Sequence, residues 1–324
     1  MKILCFTPNP CIDQNYLAPG ADWGGDATAD SLEELASGKG VNWACNLGDL
    51  LVNAKPAPTE LLSLAPIPDS LQSLYRARLR AHGVQPVFVD TQEPIRRHLT
   101  VIGRGRSLHL RVPGRPLSAA AWLRVEESLT PGRLIGPGDV LVIAGSFPPD
   151  APLAKVKLLL GRLRDAGIKI WLDGSGAPLA ALHSEATVIK INADEFRTWM
   201  KKEKRKTLAR IIANALRALH QLTHLAVTDG ADGAYLAFRN PGESTPLVIH
   251  GKLAAKSVVH PTGAGDCFGA ALLWALSQSR QSPDALRLAI AAATTAVEKG
   301  PQNGLDPGEI RVRGAQVVID EHPR

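Results

Sequence analysis

The chain has 324 residues, of which 45% are hydrophobic, and a formal net charge of +6 at pH 7. This length and composition allow a large buried core, which favours one large α/β domain over a disordered or fibrous chain. Apolar runs stay well short of the roughly 18 residues that cross a bilayer. Prolines interrupt the first apolar run too early for a signal peptide. We therefore expect a cytoplasmic protein that does not bind membranes.

The positive charge could indicate nucleic acid, an acidic surface or a small anionic substrate as the partner. The dense basic run at 201–206 includes a glutamate and has no aromatic residues for stacking on bases. We predict a solvated helix face there and no binding of nucleic acid. The four cysteines form neither a Cys-x-x-Cys pair nor a cluster with histidine. This spacing predicts free thiols in a reducing compartment and no metal cage.

Apolar runs, polar turns and helical patterns alternate along the chain. Such alternation predicts a parallel sheet with helices on both faces. The carboxyl ends of parallel strands form one rim, where ligands bind. The predicted strands cover residues 1–7, 84–89, 140–144, 169–172, 187–191 and 225–228, and the predicted helices end at 51 or cover 70–82, 153–166, 208–219 and 284–299.

Three segments do not fit this alternation. Residues 96–115 alternate like two strands joined at 103–105 and are rich in arginine, which predicts a hairpin over a site. Alternatively, the arginines only protect exposed strand edges. Residues 14–35 predict a hairpin or loop outside the core. The proline-rich stretch 54–68 is left without an assigned element, and the part after 304 is too short for a further domain.

The most informative chemical pattern lies at 260–274. Gly263, Ala264 and Gly265 precede Asp266 and an apolar run, which predicts a tight turn leading into a helix. Such a turn aims backbone N–H groups at one point, and the helix dipole adds partial positive charge there, so an anion can bind. A carboxylate at this position can take a proton from a hydroxyl that attacks a phosphoryl group. The alternative is a plain turn with an N-capping aspartate.

Four motifs, taken in order, resemble the ribokinase/PfkB family of carbohydrate kinases, and the resemblance covers nearly the whole chain. They are 9–13 (NPCID), 37–42 (SGKGVN), 190–195 (KINADE) and 262–266 (TGAGD). The first two are similar to the branch that contains 1-phosphofructokinase and tagatose-6-phosphate kinase. The resemblance implies a three-layer ribokinase-like α/β fold with a mostly parallel central sheet and a small β lid. It implies a single kinase domain, 1–324, whose lid is formed by about 14–36 and 90–115.

The resemblance also implies ATP-dependent phosphorylation of a sugar phosphate, with fructose 1-phosphate converted to fructose 1,6-bisphosphate as the favoured reaction and Mg²⁺ as cofactor. Asp266 would be the base, and Gly263, Ala264 and Gly265 would stabilise the transferring phosphoryl. The residues implied to bind the sugar phosphate are Asp13, Gly38, Lys39, Asn42, Arg96, Arg111 and Ser146. Those implied to bind the nucleotide are Lys190, Asn192, Thr228, Gly230 and Gly233.

Glu195, and Asn192 through water, would organise Mg²⁺, which prefers few carboxylates and many waters. The alternative for this pair is a helix cap with its capping-box glutamate. Two other functions stay open: a kinase for an unphosphorylated sugar or nucleoside, and a catalytically silent sensor of sugar or nucleotide. An exposed lid sheet would permit a homodimer.

Several positions depart from the family pattern. Ser37 replaces a glycine, His260 and Pro261 stand in place of small hydroxyl residues, and Cys267 follows Asp266 where serine or threonine is usual. The proline-rich residues 55–68 replace a glycine-rich turn, which could remodel the sugar side of the pocket. Glu298 stands where nucleotide-binding members often carry an amide, which could change how the adenine edge is held.

Overall fold

The computed structural model describes residues 1–21, 24–52, 60–104, 106–201, 207–240, 243, 245–259, 262–300 and 303–322. The strands in these ranges are β1 (Lys2–Phe6), β2 (Cys11–Leu17), β3 (Ser31–Ser37), β4 (Glu60–Pro66), β5 (Gln85–Val89), β6 (Arg96–Gly103), β7 (Arg106–Leu110), β8 (Val140–Ala144), β9 (Lys169–Asp173), β10 (Val188–Asn192), β11 (His224–Thr228), β12 (Ala234–Phe238), β13 (Leu247–Lys252) and β14 (Val318–His322). The α-helices are α1 (Lys39–Leu51), α2 (Asp69–Ala81), α3 (Ala119–Ser128), α4 (Leu153–Asp165), α5 (Gly176–Leu182), α6 (Ala193–Met200), α7 (Leu208–Ala218), α8 (Ala264–Ser277), α9 (Ser282–Lys299) and α10 (Pro307–Gly314).

The strands form a large sheet and a small one. The large sheet has ten strands in the order β14-β13-β12-β11-β10-β9-β8-β1-β4-β5. All strands from β5 to β11 in this order run parallel, and β12, β13 and β14 continue the sheet in antiparallel pairs. The predicted mostly parallel sheet is confirmed. Because the parallel strands end at one edge, the loops that carry the four motifs can meet there.

Helices cover both faces of the large sheet, so its central strands are buried on both sides. All residues of β8 are buried. Alternate residues of β1 enter opposite cores, because successive side chains of a strand point to opposite faces. Ile3 and Cys5 join the core under α1, α2, α8, α9 and α10, whereas Leu4 and Phe6 join the core under α3 to α7. All four cysteines are free, as predicted, and all four are buried.

Most predicted elements are present, with ends shifted by one or two residues. Residues 60–66 differ, because they form β4, a mostly buried strand between β1 and β5, inside a stretch left unassigned from sequence. Flanking prolines hid its apolar pattern. The part after 304 forms α10 and β14, and β14 extends the antiparallel edge of the large sheet. Residues 202–206, the greater part of the predicted solvated helix face, lie outside the described residues, and Lys201 is the C-cap of α6.

The small sheet combines both predicted lid segments in the order β3-β2-β6-β7. Each segment supplies an antiparallel hairpin, and the hairpins join through parallel pairing of β2 with β6. Cys11 starts β2 directly after the turn that follows β1, so this sheet stands at the carboxyl edge of the large one. Among the described helices, none is long and apolar enough to cross a membrane.

Helices α1 and α8 pack closely in the middle of one face. A Cβ at Gly269 of α8 would overlap the ring of Trp43 in α1, which is fully buried. The ring has little freedom to move, because its Nε1 donates a hydrogen bond of 2.9 Å to Asp173 Oδ2. Glycine at 269 is therefore required for this helix contact.

We predict that Gly269→Ala lowers the free energy of unfolding by about 1–3 kcal/mol, the usual cost of overpacking a core. Denaturant unfolding of both proteins measures the difference. Gly161→Ala in α4 is the matched control, because its Cβ would meet Glu185 Oε2 at an ordinary 3.6 Å. Alanine is the better helix former, so the control should not lose stability. Equal unfolding midpoints for Gly269→Ala and the parent chain would contradict this packing argument.

Candidate active site

A cleft of about 1070 Å³ lies at the carboxyl edge of the large sheet, with the small sheet as part of its wall. The structure brings together in this wall every residue that the sequence analysis assigned to a site. They are Asp13, Gly38, Lys39, Asn42, Arg96, Arg111, Ser146, Lys190, Asn192, Glu195, Thr228, Gly230, Gly233, Gly263, Ala264, Gly265 and Asp266. The cleft is large enough for two small-molecule substrates side by side.

The predicted turn before α8 is present. Gly263 is the N-cap residue with φ of 91°, a left-handed conformation that favours glycine. A Cβ at Gly265 would lie 2.9 Å from Lys190 Nζ, so glycine lets this amine approach the first turn of α8. The helix N-terminus and a lysine therefore create positive potential at one point, as an anion site requires.

Asp266 lies in the first turn of α8 but does not cap the helix, because the N-cap residue is Gly263. Its side chain is buried, and its Oδ2 accepts a hydrogen bond of 3.0 Å from Asn42 Nδ2. Arg78 Nη1 in turn donates to Asn42 Oδ1 at 3.1 Å and orients the amide. Burial raises the pKa of Asp266 to about 6, with Lys39 opposing the shift and Asp173 adding to it. A carboxylate with this pKa suits a general base near neutral pH.

Asp173, which the sequence analysis did not assign to the site, connects its two lysines. Its carboxylate lies 2.9 Å from Lys39 Nζ and 3.3 Å from Lys190 Nζ, and also accepts the Trp43 hydrogen bond. Burial alone would raise the pKa of Asp173, but both lysines outweigh burial and lower it. Burial likewise lowers the pKa of Lys39, but Asp173 and Asp266 hold it above its ordinary value. The only sequence signal for Asp173 was its place before a glycine at a strand end.

At the other end of the cleft, the register of β2 against β6 pairs Cys11 with Arg96 and Asp13 with His98. All four side chains line the cleft. Cys11 Sγ, a carboxylate oxygen of Asp13 and a ring nitrogen of His98 lie within 4.8 Å of one another. The expectation that cysteine and histidine form no cluster is therefore wrong. Strand pairing between distant segments creates this cluster, and residue spacing does not reveal it.

Arg96 is anchored at the same end of the cleft. Its Nη2 donates to the carbonyl of Asn9 at 2.7 Å, and its Nε is buried without a hydrogen-bond partner among the described residues. Asn9 Nδ2 also donates to Ser146 Oγ at 3.3 Å, so Asn9 contacts Arg96 through its backbone and Ser146 through its side chain. Arg111 follows β7 and is exposed. A guanidinium with an unused buried donor suits a phosphate or carboxylate ligand.

Asn192 and Glu195 stand at the start of α6. Glu195 N–H donates to Asn192 Oδ1 at 2.8 Å, and Asn192 N–H donates to Glu195 Oε2 at 3.4 Å. The capping box that the sequence left open as an alternative is therefore confirmed. Both residues nevertheless line the cleft, so capping does not remove them from it. Their role toward Mg²⁺ stays a prediction.

Of the described positions that depart from the family pattern, Ser37 lines the cleft, whereas Glu298, Cys267 and the described part of 55–68 do not. Glu298 is not part of its wall, because its carboxylate accepts hydrogen bonds from Arg313 at 2.7 and 2.9 Å and from Lys256 N–H at 2.7 Å. This pairing gives no support to the suggestion that Glu298 changes how an adenine edge is held. Residues 60–66 of the proline-rich stretch form core strand β4, and residues 60–68 do not line the cleft either. Cys267 is fully buried. The substitutions at 260–261 lie outside the described residues.

Comparison with solved structures identifies the fold. Phosphofructokinase-2 of Escherichia coli, in complex with substrates and products, superposes with a TM-score of 0.85 over 98% of this chain and 99% of that chain, at 21% identity. Ribokinase of Thermotoga maritima superposes with a TM-score of 0.70 over 96% and 98% of the two chains, at 18% identity. The predicted ribokinase-like fold is confirmed.

Sequence comparison identifies the family. The 1-phosphofructokinase of Xanthomonas campestris pv. campestris is 27% identical over 329 residues, covering 100% of this chain and 99% of that protein. The 1-phosphofructokinase of Vibrio cholerae is 27% identical over 298 residues, covering 91% and 89%. Residues 7–306 match the model of the pfkB family carbohydrate kinases. The chain therefore belongs to the pfkB family of carbohydrate kinases.

Proposed function

We propose that this kinase transfers the γ-phosphoryl group of ATP to a hydroxyl of fructose 1-phosphate and forms fructose 1,6-bisphosphate. One observation carries the proposal: the raised-pKa carboxylate of Asp266 shares a cleft with the half-buried guanidinium of Arg96, whose buried Nε has no hydrogen-bond partner among the described residues. The first group fits a base for the attacking hydroxyl, and the second fits a phosphate already on the sugar. The similarity to 1-phosphofructokinases supports the choice of substrate.

The reaction centre lies at the start of α8. Asp266 takes the proton of the sugar hydroxyl, whose oxygen then forms a bond to the γ-phosphorus of ATP. The bond between this phosphorus and the bridging oxygen breaks, and ADP leaves. The N–H groups of Gly263, Ala264 and Gly265 stabilise the negative charge on the phosphoryl oxygens. Lys190, held close to Gly265, adds positive charge at the same point.

The sugar phosphate occupies the end of the cleft under the small sheet. Arg96, Arg111 and Ser146 hold its phosphate, while Asp13, Asn42 and Gly38 contact its hydroxyls. Lys39 approaches from α1 and retains about a third of its side-chain exposure (31%), although it pairs with Asp173. Its amine can therefore contact substrate without leaving the carboxylate. The small sheet acts as a lid that keeps water from the phosphoryl group.

The nucleotide occupies the other end, beside Thr228, Gly230, Gly233 and Lys190. Asn192 and Glu195 offer oxygen ligands on this wall, one amide and one carboxylate, which fits Mg²⁺ with several waters. We propose that they hold Mg²⁺ together with the ATP phosphates. The bound ion would neutralise phosphate charge. The capping box keeps both side chains in place for this role.

We further propose that residues 1–324 form one kinase domain and that the protein works in the cytoplasm. Two copies associate through their lids. Pairing across the small sheet aligns Leu32, Tyr16, Val101 and Leu108 in one row on the face opposite Asp13. Leu32 and Leu108 are 48% and 43% exposed. An apolar row of this kind gains stability when a second copy covers it.

The main test is release of ADP from MgATP with fructose 1-phosphate, fructose 6-phosphate, tagatose 6-phosphate, fructose, ribose and adenosine. We expect fructose 1-phosphate to give the highest kcat/KM. Asp266→Asn should lower kcat by about 10²–10⁴-fold, as expected for loss of a general base. Only ionised Asp266 accepts the proton and its pKa is about 6, so kcat/KM should be flat above pH 7 and fall as the pH drops below 6.

If the protein turns over a free sugar or adenosine and not the phosphosugars, the proposed substrate is wrong. Binding of sugar or nucleotide without turnover of any compound in the panel would support the sensor instead. Full activity of Asp266→Asn would rule out the assigned base.

The phosphate-binding role of Arg96 is tested by Arg96→Met. A hydrogen bond to a charged group contributes about 1.5–3 kcal/mol, so kcat/KM for fructose 1-phosphate should fall by about 10–100-fold. Activity on unphosphorylated fructose should change little. Arg97→Met is the matched control, because Arg97 is the next residue of β6 and pairs instead with Glu34 at 2.6 Å. Equal losses on both sugars would mean that Arg96 does not recognise the phosphate.

Lid association is tested by sedimentation velocity of Leu108→Glu. We expect the parent chain to sediment as a dimer and this variant to sediment as a monomer, since a buried unpaired carboxylate is costly. Leu158→Glu in α4 places the same change at a leucine that is 66% exposed and far from the lid row. It should remain dimeric. A monomeric parent chain would refute the association.

A further inference from the structure

We propose that Cys11, Asp13 and His98 form a binding site for a thiophilic divalent metal ion such as Zn²⁺, and that an ion bound there excludes the sugar substrate from the cleft. The first part is independent of the proposed function. The second part rests on it, because it assumes that the sugar phosphate occupies this end of the cleft.

Strand register creates the site. Cys11 and Asp13 are two residues apart on β2, so both side chains point to the same face, and His98 on β6 is paired with Asp13. Cys11 Sγ lies 3.5 Å from Asp13 Oδ1, and the three ligand atoms lie within 4.8 Å of one another. Zinc bonds of about 2.0–2.3 Å place tetrahedral ligands roughly 3.3–3.7 Å apart. Side-chain rotations of the half-buried Asp13 and His98 that move their ligand atoms by about an ångström would therefore bring all three ligands to zinc-binding distances.

The donor atoms match zinc rather than magnesium. Thiolate, imidazole and carboxylate together favour Zn²⁺ and similar ions, whereas Mg²⁺ selects oxygen ligands such as those of Asn192 and Glu195. Three protein ligands leave a fourth position for water, as in open zinc sites. The metal would then hold Asp13 away from the sugar hydroxyls and occupy the space beside Arg96.

Protonation supports the site at His98 and opposes it at Cys11. Burial and the neighbouring Arg96 lower the pKa of His98, which favours the neutral imidazole that binds metal. Burial raises the pKa of the Cys11 thiol to about 12, with Asp13 adding to the shift. Metal binding must therefore break the S–H bond, form the S–metal bond and release the proton to solvent.

Neighbouring charges and one hydrogen bond set the cost of binding. The thiolate and the Asp13 carboxylate neutralise a dication, while the guanidinium groups of Arg96 and Arg111 repel it. His98 Nδ1 accepts a hydrogen bond of 3.2 Å from Val112 N–H, which the ring gives up when metal binds. This hydrogen bond is exposed, so water can replace the imidazole there. These costs lead us to expect reversible binding rather than a permanent structural ion.

The site is tested first without any assay of activity. Chelator-treated protein is titrated with Co²⁺, whose bond to a thiolate gives a charge-transfer absorption band. We expect one thiolate-bound Co²⁺ per chain, displaced by Zn²⁺. Cys11→Ala should abolish the band, and His98→Gln should weaken Co²⁺ binding by about tenfold or more. Cys45→Ala, at another buried cysteine, is the matched control and should keep the band. A band that survives in Cys11→Ala, or no band in the parent chain, would overturn the site.

Exclusion of the sugar is tested separately. Zn²⁺ should inhibit turnover competitively against fructose 1-phosphate and not against ATP, and His98→Gln and Cys11→Ala should each raise its inhibition constant by about tenfold or more. Fructose 1-phosphate should also suppress the Co²⁺ band. Inhibition that is unchanged in Cys11→Ala, or competitive only with ATP, would overturn the exclusion. If the protein lacks kinase activity, the Co²⁺ titration still decides the metal site, so the two proposals fail separately.

Discussion

The buried carboxylate of Asp173 is the group on which the centre of the cleft depends. It holds Lys39 of α1 and Lys190 of β10 at 2.9 and 3.3 Å and fixes the Trp43 ring through a hydrogen bond. Without it, two amines would lie beside the N-terminus of α8, where like charges repel. The Asp173 carboxylate keeps both amines charged and in place. A buried ion pair of this kind is costly to break, because its partners are left uncompensated.

The same network sets the chemistry of Asp266. Lys39 favours its ionised form, whereas burial and the nearby charge of Asp173 favour the protonated form, and the result is a pKa of about 6. A fully solvated aspartate would be a weaker base, and one without the lysines would have a still higher pKa. Packing makes this balance possible. The absent side chain at Gly269 lets α8 approach Trp43 of α1, which brings Asn42 within 3.0 Å of the Asp266 carboxylate.

The small sheet contributes the other end of the cleft. Its two hairpins come from separate parts of the chain, and no local sequence pattern shows that they pair. Their parallel junction aligns Cys11, Asp13, Arg96 and His98 on the inner face. This junction places the Arg96 guanidinium, which can bind a phosphate, beside the three proposed metal ligands. Occupation by one ligand therefore opposes occupation by the other.

The sequence by itself determined the features that depend on neighbouring residues. The turn before Asp266, the capping box at Asn192 and the alternation of strands with helices are local patterns, and the alternation predicted the parallel sheet. The other residues expected in the cleft were named from the resemblance to the family, and the structure brings them into one wall. Only the tertiary structure decided the role of Asp173, the meeting of Cys11 with His98, and the pairing of Glu298 with Arg313. Each of these joins segments distant in sequence, where neither periodicity nor spacing records which side chains meet. Strand β4 was missed for a related reason, since its place between β1 and β5 is set by pairing partners rather than by its own proline-flanked sequence.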